Sequence, residues 1–469
     1  MEKIRIEEIK GSLADFFMGS LYPIVVAAFM VLAYVTSTEV IVNVVNLGLV
    51  SLALFVTRSI RPLIPVFISY LYQFSSETSI VSAEGLSWLL SGWRLLLYIL
   101  SFSLLFFAIG YNFYKHGLLR RAELGKTPYP LAALILSVAF LLNGVFSEEA
   151  SLASLGYGFA NILTFFVFFY LFYFGLKNED GESLCSYFAY CSAICGLVVT
   201  VNLFVYIVVS GEFMVDGVFV REIFQVGFGN VNTVGQNLAV LIPMTLYGAM
   251  KNRCPWFYIV SSIVCMCGIA VTLSRNAWIF GTLAFVASFM IGAIFGRRRR
   301  LFRILLLIGS LAVLSIAVIF GREIYELFKV NFDRGFDDNG RFNLWIYGLN
   351  EFFESPIFGK GFYGLHPYEE FGFPIMVHNT PIQLLACMGV VGLLAYAYYR
   401  YETLKPFFYR PSLEKAMLGI SLLVVILGSL LDNFLFYIPH MLYYPIALAI
   451  AFRIATWQRE DDRNLTVTQ

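Results

Sequence analysis

The sequence predicts an all-α, polytopic integral membrane protein, and three observations predict it. Apolar residues make up 59% of the 469 and charged residues 13%, against about a quarter charged in soluble chains, and the mean hydropathy is +0.76. Apolar stretches near the length of a membrane helix recur from one end of the chain to the other. The connections between them divide Lys and Arg unequally between alternate sides. The apolar excess has to face lipid, and no segment outside the stretches is long enough to fold alone. Residues 1–469 therefore read as one membrane domain.

Taken in order, about fourteen candidate spans follow from the roughly 20-residue length rule, with twelve to fourteen as the expected range. They lie at 21–35, 40–56, 63–74, 88–111, 129–146, 155–176, 187–209, 231–250, 256–273, 277–295, 304–320, 376–398, 416–436 and 441–455. The third is short and holds Pro62 and Pro65, so a re-entrant segment is expected there. Of the 32 Lys and Arg, 24 fall in one set of alternate connections and seven in the other, with Arg94 inside a span. Basic residues concentrate in cytoplasmic connections, so both termini are expected in the cytoplasm. The run Arg297–Arg300 is a topology anchor on this reading and not a nucleic-acid patch. The formal net charge of +1 is uninformative about partners, because a sum hides where charges sit.

The first residues mix acids with bases and no small-residue cleavage site follows the first apolar run, so a removed signal peptide is not expected. The seven cysteines form no C-x-x-C and gather no histidines, which predicts small buried hydrophobes without disulfide or zinc.

Chemistry is expected on the opposite, outer face. Most outer connections are very short, but 321–375 is on the order of 50 residues, long for a connection without a function. Within it Phe342, Trp345, Leu349 and Phe353 recur at helical spacing, which predicts an amphipathic helix along the membrane surface. Ser355-Pro356 should stop it, and Gly359, Gly361 and Gly364 should make a flexible return. The following span opens His378-Asn379-Thr380-Pro381, with Asn379 or Thr380 as N-cap and Pro381 in the first turn. Its positive dipole end would face outward, as would that of the span opening at Val231 with Asn232 in FGNVNT. Three outer arginines, Arg221, Arg275 and Arg341, each sit against a span or the surface helix. Guanidinium forks at that depth suit a diphosphate. Singly, each is as well explained as an interfacial anchor or a partner of Asp333, Asp337, Asp338, Glu369 or Glu370, and His378 alone as a polar cap. His366, His440 and Arg94 are read as structural.

Three stretches resemble the O-antigen ligase and polymerase superfamily of membrane glycosyltransferases. They are REIFQVGFGNVNTVGQNLAVLIPM at 221–244, TLSRNAW at 272–278, and 340–394, which joins RFNLW, SPIFGKGF and HNTPIQLL. They cover roughly the second half of the chain. The resemblance implies transfer of a glycan from a polyprenyl (undecaprenyl) diphosphate carrier to a glycan, glycolipid or protein acceptor, outside the cytoplasmic (inner) membrane and without a cofactor or metal. It implies that Arg275 and Arg341 hold the diphosphate and that His378 sits at the reacting centre. Arg221 is an additional phosphate ligand on this reading, with Asn379 and Asn232 supporting. Fixed cations would stabilise the departing diphosphate, and neutral His378 would take the acceptor's proton; an outer-loop carboxylate is the alternative base. Direct displacement would invert the anomeric centre.

Two rivals differ in class. A metal-dependent transferase of this architecture would resemble those with a D-x-D pair in the first outer loop, but 36–39 holds one acid, leaving only Asp337-Asp338. A lipid-linked sugar flippase or transporter would show related halves and ionisable groups near the midplane, whereas the long insertion here is one-sided. Ligase and polymerase need the same residues; the single H-N motif after R-x-x-x-W favours ligase.

Overall fold

The structure, a computed structural model of the chain, describes residues 2–467 apart from 37, 70–90, 119–127, 148–150, 211–213, 216–217, 220–229, 333–339, 370–371, 373–374 and 437. It is all-α but for one two-stranded ribbon, β1 (Met214–Val215) paired antiparallel with β2 (Val218–Phe219).

The chain opens with α1 (Glu2–Met18), α2 (Leu21–Thr36) and α3 (Glu39–Val56), then a seven-residue buried helix, α4 (Leu63–Ser69). It continues with α5 (Gly92–His116), α6 (Pro130–Leu142) and α7 (Leu152–Gly175), whose middle turn Leu163–Phe168 is wound as a π-helix. Next come α8 (Gly181–Ser210), α9 (Val231–Lys251), α10 (Pro255–Thr272), α11 (Arg275–Phe295) and α12 (Arg299–Phe332). The last four are α13 (Arg341–Glu354), α14 (Thr380–Phe408), α15 (Leu413–Gly428) and α16 (Ile438–Val467). Every span expected from the sequence overlaps one of these helices.

Seven helices among the described residues are long and apolar enough to cross a membrane, or eight if the bent pair α1–α2 is one span. The protein is thus an all-α, multi-pass membrane protein. Two physical features account for part of the difference between these seven and the expected spans. Helices α6 and α15 are apolar but shorter than 18 residues. Helix α9 is buried on all sides by α8, α10, α11 and α15, so it needs no lipid-facing stripe and carries Thr233, Gln236 and Asn237 inward. Its Gly248 lies against the Tyr258 ring and its Gly235 against Thr272 and Ala277, the small-residue contacts that let membrane helices approach closely. Helix α12 is the opposite case: none of its 18-residue apolar window is buried, so its natural solvent is lipid.

The long connection differs from expectation at both ends. Helix α12 runs beyond Gly321 to Phe332 with a break at Phe320, which shortens the irregular part. After α13, segment 356–361 does not make a flexible return. It inserts beside a break in α14 at Gly389 and satisfies the backbone groups freed there. Val390 N–H donates to Pro356 O (2.9 Å) and Val391 N–H to Ile357 O (3.2 Å). Lys360 N–H donates to Ala386 O and Gly361 N–H to Cys387 O, both at 2.9 Å. Irregular backbone inside a membrane protein is tolerated where neighbours complete its hydrogen bonds. The approach is close: a Cβ at Gly359 would lie 2.3 Å from the Cys387 carbonyl carbon, and one at Gly389 2.3 Å from Ile357 O.

All seven cysteines are free.

Candidate active site

Helix α14 begins where the sequence places it. Asn379 is the N-cap, its side chain accepting from Ile382 N–H at 3.1 Å, with Pro381 in the first turn. Just before it, His378 has φ 51°, a left-handed conformation that costs a non-glycine residue about 1 kcal/mol or more. Both flanks are fastened. Val377 N–H donates to Gln383 Oε1 (2.8 Å), Asn379 Nδ2 to Leu430 O (2.9 Å) and Thr380 N–H to Ser429 O (2.8 Å).

The fastening element is the turn after α15. The expected span 416–436 stops as a helix at Gly428; residues 429–433 then turn back, and Phe434–Phe436 form a 3-10 turn. The turn delivers Asp432, 1% exposed, to His378: Nδ1 and Oδ1 are 2.7 Å apart. Burial opposes ionisation of Asp432. The His378 hydrogen bond and charge, the Asn433 N–H at 2.8 Å and nearby Arg341 outweigh it and hold the carboxyl below its ordinary range. With Nδ1 donating to a carboxylate, the imidazole keeps its basic lone pair on Nε2, and the ring is about one-third exposed.

Arg341, the first residue of α13, is brought near Asp432 because α13 packs on the start of α14. A Cβ at Gly348 would touch Val377 and Ile382, so only glycine lets the two helices lie this close. The apolar stripe of α13 is left uncovered, with Phe342 and Phe353 exposed, while Leu344, Gly348 and Glu351 face the protein. Arg275 opens α11, whose N-cap Ser274 accepts from Ala277 N–H at 3.4 Å. The next residue, Asn276, donates through Nδ2 to Gly428 O at 3.3 Å, the same carbonyl that accepts from Asp432 N–H at 3.0 Å. Arg275 is exposed, and neither it nor Arg341 is paired with a carboxylate among the described residues.

One turn thus meets His378 and Asn379, lies near Arg341, and bonds Asn276, the residue after exposed Arg275. Asn232 lies in the first turn of α9, whose Gly235 meets Ser274. Its backbone N–H donates to the N-cap Asn230 Oδ1 at 2.7 Å. Arg221, Asp333, Asp337, Asp338 and Glu370 lie outside the described residues, as does the His440 side chain. Sequence reasoning missed Asp432. The available signal was an acid in an otherwise apolar run, SLLDNFLF, which in a membrane segment marks a function or a pair.

His366, read as structural, belongs to a second charged group. Glu351 is 4% and Lys360 5% exposed; His366 Nδ1 is 2.9 Å from Glu351 Oε1 and 2.8 Å from Lys360 Nζ. Lys360 also pairs with Glu354, whose carboxyl this bond holds below its ordinary range. Glu351, Glu354 and His366 lie close enough to ligate a metal. The Lys360 ammonium sits among them, so the cluster already carries a cation and fits an ion-pair latch better than a metal site.

Residues 260–397 match the family model of O-antigen ligase. That segment, less than half of the chain, is similar to the O-antigen ligase family. The matched segment runs from α10 into α14 and contains Arg275, Arg341 and His378; Asp432 lies beyond it. A search of curated proteins found no match. The family is one of glycosyl transfer in O-antigen assembly at a membrane, and the multi-pass fold agrees with it.

Proposed function

We propose that the protein is an inverting glycosyltransferase of the O-antigen ligase type. It moves a glycan from a polyprenyl diphosphate carrier onto a glycan, glycolipid or protein acceptor at the outer face of the inner membrane. The observation that carries the reading is the His378–Asp432 pair at 2.7 Å with Arg341 nearby, on a turn that also bonds the residue after exposed Arg275. Asp432 fixes the imidazole so that Nε2 can accept the proton of an acceptor hydroxyl. That oxygen bonds to the anomeric carbon as the carbon–oxygen bond to the diphosphate breaks, and the electron pair leaves with the diphosphate. Arg275 and Arg341 stabilise the charge that gathers there, the kind of fixed electrostatics that dominates such catalysis. No step in this scheme requires a metal.

The test is transfer by purified protein from a polyprenyl-diphosphate glycan to candidate acceptors, with excess chelator. Arg275→Ala, Arg341→Ala and His378→Ala should each lower transfer by roughly 10²-fold or more while the protein stays folded. Variants that match wild type would remove these residues from the mechanism. One addition per acceptor indicates a ligase. A ladder of products indicates a polymerase using the same site.

A further inference from the structure

Four side-chain oxygens around the turn after α15 have no hydrogen-bond partner among the described residues: Gln236 Oε1, Asn276 Oδ1, Thr380 Oγ1 and Asn433 Oδ1. Their residues are 0%, 6%, 1% and 0% exposed, so bulk water does not satisfy them. They come from α9, α11, α14 and the turn itself, and all four residues touch the same stretch of chain. Gln236 Nε2 donates to Val424 O (2.8 Å), Asn276 Nδ2 to Gly428 O (3.3 Å) and Thr380 N–H to Ser429 O (2.8 Å). Asn433 Nδ2 donates to Gln383 Oε1 at 3.1 Å.

These bonds also fix which end of each amide is left over. Val424 O and Gly428 O are carbonyls, so Gln236 and Asn276 must present nitrogen to them. Gln383 Oε1 already accepts from Val377 N–H, so Asn433 must present nitrogen there too. Flipping any of the three amides would set oxygen against oxygen. The surplus is therefore three amide oxygens, which only accept, and a hydroxyl, which can accept or donate. They lie at the C-terminal, negative end of α15 and beside buried Asp432. A buried acceptor without a donor costs about 1–3 kcal/mol, and here four such oxygens belong to residues that meet one stretch of chain.

We propose that this oxygen set binds a monovalent alkali cation, Na⁺ or K⁺, which holds the turn Gly428–Asn433 in place. Neutral oxygens around a hard cation at a helix C-terminus match the way membrane proteins bind such ions. A divalent ion would call for more carboxylate than the site has, because Asp432 is already committed to His378. The ion acts on the reaction only through the turn, by placing Asp432 and the Ser429 and Leu430 carbonyls that fasten residues 379–380. Gln236, Asn276, Thr380 and Asn433 are positioning residues on this account.

The test is thermal unfolding of the full chain in detergent, after exchange into N-methylglucamine chloride, with NaCl, KCl or LiCl replacing it at constant ionic strength. The midpoint should rise by a few degrees with Na⁺ or K⁺ and saturate. Asn276→Asp keeps the size and adds a charge. It should lie below wild type in N-methylglucamine and recover more steeply as the alkali ion is added. Gln236→Leu should flatten the response. Equal midpoints in all four salts, with Asn276→Asp lowered equally in each, would mean the oxygens hold water alone and would overturn the proposal. This readout needs no glycan transfer, so it stands or falls apart from the proposed activity.

Discussion

At the scale of single residues, the buried acid that orients His378 carries a pH dependence whose sign follows from its environment. Asp432 is held below its ordinary value of 3.8, so the folded state binds its proton less readily than the unfolded chain does. Its contribution to stability is therefore fully present above the ordinary carboxyl value and is lost as pH falls through that value towards the depressed one. Asp432→Asn should unfold more easily than wild type near neutral pH, and the two should converge in acid. Unfolding midpoints across roughly pH 7 to 3 check this, and parallel curves would deny Asp432 the role. The same variant should slow transfer by roughly 10²-fold or more, because a neutral amide no longer stabilises the imidazolium that forms.

Among secondary-structure elements, the broken helix α14 and the segment lodged in it form one unit. Gly389 has φ 62° and ψ −163°, a region essentially closed to side-chain residues, and Ile357 O fills the place of its missing Cβ. Gly389→Ala should therefore cost more than about 2 kcal/mol, seen as a lower unfolding midpoint, whereas Gly309→Ala in α12, which meets nothing within 4 Å, should be nearly silent. The Glu351–Lys360–His366 cluster ties α13 to that inserted segment. Glu351→Gln leaves the buried Lys360 ammonium without its buried carboxylate and should loosen α13. Hydrogen exchange along 341–354 would rise while that of α9 stays unchanged. Loss of protection everywhere would instead mean global destabilisation.

For the whole molecule, what could be read in advance was set by periodicity and charge, and what escaped was set by tertiary pairing. Apolar runs place the spanning helices but not α1, and the H-N-T-P pattern places the start of α14, because a cap and a first-turn proline are local features. Asp432 is 54 residues from His378, and no local rule joins them. Segment 356–361 was misread for the same reason: glycines that permit close contact with a distant helix look, in one dimension, like glycines that permit motion. Arg341 and Arg275 stood out in the sequence because they fall in the connections otherwise poor in Lys and Arg.

That pattern makes the last prediction. It assigns 24 of the 32 basic residues to one side, including Arg299 near the start of α12, and sets Glu369 on the other. Both positions are exposed. In a background with Cys254 and Cys267 replaced, Glu369→Cys should react with a membrane-impermeant thiol reagent in intact cells. Arg299→Cys should react only after the membrane is opened. The reverse pattern would place His378 and Asp432 on the cytoplasmic side, where glycans carried on an outward-facing polyprenyl diphosphate could not reach them, and the transfer mechanism would fail with the topology. Labelling as expected puts the paired imidazole, Arg275, Arg341 and the uncovered apolar face of α13 on the side where a lipid-linked donor presents its diphosphate. The exposed stripe Phe342, Ile346 and Phe353 then lies against the same leaflet that holds the carrier.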